Sequence, residues 1–116
     1  MPDFLVRIRP RRLEMLTSGP TEAEARATQA HFAYLQDAQR AGNMLLAGRT
    51  LTADEDTFGI VIIRAESLAA AQRFVEEDPV VVEGVMTAEV FPFRVALLAK
   101  SWDDDGPPKP ALVQRH

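Results

Sequence analysis

The 116-residue sequence predicts one α+β domain with two helices on a single face of an antiparallel sheet. Two observations carry that expectation. Four apolar stretches have strand character, two further stretches have helical apolar spacing, and their order is β-α-β-β-α-β. Each helical stretch also opens on a hydroxyl residue suited to capping. The composition, 47% hydrophobic and 26% charged, is that of an ordinary globular protein with enough apolar residues for one core.

FLVRI (residues 4–8) is the first strand, with Phe4, Val6 and Ile8 on one face and Leu5, Arg7 and Arg9 on the other. Pro10 stops it. Residues 11–20 read as an irregular connection ending in the turn Gly19-Pro20. Thr21 is the N-cap of the first helix, and Glu24 completes a capping box. That helix runs to about Ala41, with Gly42 as the residue beyond its end. Phe32, Leu35 and Ala38 recur at helical spacing, with His31 on the margin of the stripe.

NMLLAGRTL (43–51) and FGIVIIRA (58–65) are the second and third strands, joined by an acidic turn. Ser67 caps a second helix whose apolar stripe is Leu68, Ala71, Phe74 and Val75. Pro79 breaks or redirects it, VVVEG makes one short helical turn, and Gly84 ends that turn. Residues 87–98 are the last strand, with Pro92 marking an edge position or a bulge. The order is ferredoxin-like, an α+β domain over residues 1–100. Residues 101–116 are an irregular tail rich in Asp, Gly and Pro. Its Trp102, Leu112 and Val113 are candidates to dock on the domain or its partner.

A sheet covered on one face should alternate apolar and polar residues. The third strand is nearly continuously apolar instead, and the fourth ends Val95-Ala96-Leu97-Leu98. Both faces therefore read as covered. Helices cover one, and a second copy of the sheet is the expected cover for the other. The alternative is the tail folding back. A homodimer is the expected assembly.

Several functions are excluded or disfavoured. A net charge of −4 gives no general attraction to nucleic acid or an anionic membrane. No apolar run approaches a membrane span, and the first residues lack a signal-peptide core. With no cysteine as well, the expected location is the cytoplasm. There is no phosphate-binding loop, dinucleotide fingerprint, zinc finger or nucleophile elbow, so no cofactor is expected. Two histidines and no cysteine make a nitrogen-rich metal site within one chain improbable. The runs Asp54-Glu55-Asp56 and Asp103-Asp104-Asp105 read as solvated.

His31 is the sharpest candidate, because a ferredoxin-like fold packs both helices on one sheet face. The middle of one helix can then approach the C-terminal end of the other, where Asp78 lies in EEDPVVVEGV. Read alone, each residue has a plain alternative: a boundary histidine and a helix-terminal carboxylate. Arg7 and Arg9 suit an anionic ligand beside a dimer cavity, or else pair with acidic groups across the interface or sit exposed at a sheet edge.

The chain resembles the YciI-like (YCII-related) proteins. The resemblance is carried by HFAYLQDAQRAGNMLLAGRTL, by Asp78-Pro79 with Gly84-Val85, and by Pro92-Phe93, together spanning about residues 28–98. It implies a dimeric ferredoxin-like fold, of the dimeric α+β barrel type, and an active-site pair falling on His31 and Asp78. One branch of that family removes chloride from chlorinated hydroxyquinones. The sequence departs from the commonest pattern at Thr28, where an arginine is frequent, and at Arg49, where proline is frequent. Both lie near the expected pocket.

The expected function is a small-molecule enzyme using His31 as general acid/base, oriented by Asp78. Arg7, Arg9 and Arg49 are the candidates for binding a small anionic or phenolic substrate. Elimination or isomerisation suits a site without a cofactor. The alternative is a non-catalytic metabolite-binding or interaction module in which the cavity only holds a ligand.

Overall fold

The computed structural model describes residues 1–100, so the expectations for the tail lie outside the described residues. In chain order the elements are β1 (Asp3–Pro10), α1 (Glu14–Thr17), α2 (Glu22–Arg40), β2 (Met44–Arg49), β3 (Gly59–Arg64), α3 (Leu68–Glu76), α4 (Pro79–Val82) and β4 (Met86–Phe93). The sheet is antiparallel in the order β2-β3-β1-β4, the ferredoxin-like arrangement. Pro92 lies in β4, an edge strand, where its missing N–H costs no central ladder bond. Among the described residues no helix is long and apolar enough to cross a membrane.

Thr21 caps α2 as its sequence predicts. Its hydroxyl accepts from the Glu24 amide at 3.1 Å, and Glu24 Oε1 accepts from the Thr21 amide at 2.8 Å. Arg12 adds a forked pair to the same carboxylate, at 2.8 and 2.7 Å. This ties the connection from β1 to the start of α2, and within it the short α1 forms without any side-chain cap. The Arg12 guanidinium, with the Thr21 amide, pushes the Glu24 carboxyl from its ordinary 4.5 down to about 2. A depressed acid contributes stability above its unfolded value and loses it as pH falls through the folded one. The melting temperature is therefore expected to drop between about pH 4.5 and 2, and Glu24→Gln should remove part of that acid dependence.

The strand register assigns the two sheet faces. Phe4, Val6, Val61 and Ile63 point toward the helices and form the core with Leu35, Ala71 and Val75. The opposite face carries a row Leu46–Ile62–Leu5–Phe91, set by the pairings of Ile62 with Leu46 and Leu5, and of Leu5 with Phe91. Ion pairs flank this row: Arg64 with Asp3 on one side and Arg7 with Glu89 on the other.

Several expectations need correction: residues 11–20 contain the short α1 instead of being wholly irregular, and Leu68 is exposed rather than part of the buried α3 stripe. β4 ends at Phe93, so residues 94–98 are not strand, and Leu97 is 94% exposed. The reason is register: Phe93 pairs with Asp3, the first residue of β1, and the Pro2 carbonyl before it is bonded to the Ala65 amide instead. Phe32 is exposed rather than core. The buried stripe of α2 runs through Ala27, Leu35 and Ala38, with His31 and Tyr34 largely covered, and a helical step of about 100° carries Phe32 off it.

Candidate active site

Asp78 is placed by the break between α3 and α4. Its backbone is extended (φ −66°, ψ 129°), Pro79 begins α4, and Asp78 Oδ1 accepts from the Val80 amide at 3.1 Å. Proline suits the first helical position because its missing N–H would be unpaired there anyway. Buried Val80, Val85 and Ala27 then dock α4 against α2. His31 lies one turn beyond Ala27 on the same face of α2.

This docking brings the two predicted residues together. His31 Nδ1 lies 2.9 Å from Asp78 Oδ1 and 2.7 Å from Oδ2. The side chains are 12% and 8% exposed, so the contact is shielded from competing water. A carboxylate has no proton to offer, so Nδ1 carries the proton and donates it. Burial of the Asp78 charge is offset by this bond and by the Val80 amide. Nε2 makes no hydrogen bond among the described residues, and no buried side-chain nitrogen there lacks a partner. Nε2 therefore reaches the surface.

The arginines do not join this pair within one chain. Arg7 and Arg9 belong to the sheet face opposite the helices. Arg7 donates to Glu89 Oε1 at 3.0 and 2.6 Å, and its guanidinium stands 5.6 Å from the Phe91 ring centroid. The expected alternative placed such a pair across the interface; this one forms within the chain, between β1 and β4. Arg9 makes no ion pair among the described residues. Arg49 Nη1 donates to the Thr50 carbonyl at 3.2 Å and bonds to neither His31 nor Asp78. A cavity of about 240 Å³ lies toward the start of β1, lined by Met1, Asn43, Arg64, Glu66 and Phe74 among others. Neither His31 nor Asp78 lines it, so volume alone does not mark the site. Among the described residues no cluster of three or more His, Cys, Asp or Glu is placed to hold a metal ion.

Sequence reasoning overlooked Tyr34. It stands three residues after His31, on the same helix face, and its hydroxyl donates to the Phe74 carbonyl at 2.7 Å. Helical spacing from Ala27, His31 and Ala38 puts Tyr34 on the covered side of α2, but that spacing does not name the carbonyl it bonds.

The YCII-related domain matches residues 4–94, most of the chain. The chain belongs to the YCII-related family. No curated protein matches it in sequence. Among solved structures it is similar to the 5-chloro-2-hydroxyhydroquinone dehydrochlorinase of Burkholderia phenoliruptrix AC1100 in complex with 2,5-dihydroxybenzoquinone. Identity is 23%, the TM-score 0.57, and the match covers 78% of this chain and 93% of that one. A de novo designed protein with a ferredoxin fold also matches, at 17% identity and a TM-score of 0.39, over 94% of this chain and 96% of that one. At 23% identity the likeness to the dehydrochlorinase is one of fold. In this chain the ferredoxin-like sheet and helices set His31 against Asp78.

Proposed function

We propose that this YCII-related chain is a small-molecule enzyme whose general base is His31 Nε2. The observation that carries the reading is the buried contact between His31 Nδ1 and both oxygens of Asp78, with Nε2 reaching the surface. A proton fixed on Nδ1 leaves the Nε2 lone pair available, and the carboxylate stabilises the imidazolium formed when Nε2 takes a proton.

A phenolic or enolic substrate supplies such a proton from O–H or C–H. The electron pair left behind forms a new π bond and expels an anion from a neighbouring carbon, which is elimination. Alternatively, the imidazolium returns the proton at a different carbon, which is isomerisation. The dehydrochlorinase of similar fold makes elimination the first reaction to test, with 5-chloro-2-hydroxyhydroquinone as first substrate and chloride release as readout. Turnover that disappears in His31→Gln supports the reading. Binding without turnover, across a panel of phenolic and small anionic compounds, would make the chain a metabolite-binding module instead.

The same reading includes a cytoplasmic homodimer. Leu5, Ile60, Ile62, Leu46, Phe91 and Phe93 give the face opposite the helices an apolar character uncommon for open surface. A second copy covers it, and Arg7 and Arg9 of both copies are candidates to hold an anionic group at that interface, on the sheet face away from His31. Arg49 is the third candidate for holding an anionic group.

A further inference from the structure

We infer that Tyr34 is a positioning residue, whose hydroxyl holds the end of α3 in the shape that presents Asp78 to His31. The inference rests on the reading of His31 and Asp78 as the working pair.

The argument begins with one carbonyl. In an uninterrupted helix the Phe74 carbonyl would accept the N–H of Asp78, four residues on. Here that N–H turns to the Val75 carbonyl at 3.1 Å, a tighter closure, while the Glu77 N–H still reaches Arg73 at 3.1 Å. The chain then leaves helical geometry at Asp78. Phe74 is left with an unclaimed carbonyl, and a part-buried carbonyl without a donor is costly. The Tyr34 hydroxyl, at 2.7 Å, is its donor. Without that donor, Asp78 N–H is the natural replacement. Reclaiming it would extend α3 by a residue and swing the carboxylate away from both the Val80 amide and His31.

The rings reinforce the arrangement. Tyr34 and Phe74 stack with centroids 4.8 Å apart at a 31° tilt, which fixes α2 against α3. Two contacts from one face of α2 thus clamp both ends of a single turn: Tyr34 holds residue 74 and His31 holds residue 78. Burial, and then the Glu77 and Asp78 carboxylates, push the Tyr34 phenol up to about 12, so it stays a donor across the usual pH range.

The test is the rate at which the His31 Nδ1 proton exchanges with water, read by nuclear magnetic resonance. Wild type should show a protected Nδ1 proton, and Asp78→Ala should lose it. Tyr34→Phe keeps the ring and removes only the hydroxyl, so the chain should fold while this proton exchanges about tenfold faster. Ala38→Gly, a destabilising change elsewhere on α2, should leave the rate near that of wild type. Wild-type exchange in Tyr34→Phe would overturn the inference while leaving the His31–Asp78 pair intact. Equal acceleration in Ala38→Gly would also overturn it, as general loosening of the helix. An unprotected proton in wild type, or one indifferent to Asp78→Ala, would remove the pair itself and the inference with it.

Discussion

A His31→Gln variant is expected to fold as wild type does and to lose turnover by about 10²–10⁴-fold, the usual cost of removing a general base. Glutamine is the informative replacement because its amide N–H₂ can still donate to Asp78. The buried carboxylate then keeps a partner in addition to the Val80 amide. His31→Ala should lose the same turnover and also lower the melting temperature, since it strands a charge that is 8% exposed. A structural histidine would share the stability loss in His31→Ala but would leave turnover intact in His31→Gln. Parallel rate and melting measurements on the two variants separate these cases.

The second large effect concerns assembly. Leu46 is 43% exposed in the single chain and lies in the apolar row opposite the helices. In an isolated chain, Leu46→Asp should cost little, because the carboxylate remains in water. Against a second sheet it becomes a buried unpaired charge, costing about 3–5 kcal/mol. That corresponds to at least a hundredfold weaker association, at about 1.4 kcal/mol per tenfold. Light scattering at micromolar concentration should find wild type dimeric and Leu46→Asp monomeric but folded. A stable wild-type monomer would contradict the homodimer.

Much of this architecture is legible in the chain because local signals agree with the tertiary arrangement. Thr21 with Glu24, Ser67, Gly42 and the Asp78-Pro79 step are punctuation whose physics is local, and the elements begin and end near them. The approach of His31 to Asp78 follows from two helices sharing one sheet face, so it too could be anticipated. What escaped the sequence depends on partners distant along the chain. The end of β4 is decided by where β1 begins, and the Arg7–Glu89 pair by the register between those strands. The short α1 has no side-chain cap to announce it. Tyr34 matters through a carbonyl made available only because Asp78 N–H turns to Val75, which no apolar period encodes.

The central claim is that Asp78 holds the proton on His31 Nδ1 so that Nε2 can act as base. The ¹⁵N resonances of His31 in the neutral imidazole measure this directly. The geometry predicts a protonated, pyrrole-type Nδ1 and an unprotonated, pyridine-type Nε2, with that assignment lost in Asp78→Ala. A proton found on Nε2, with Nδ1 bare toward Asp78, would contradict it.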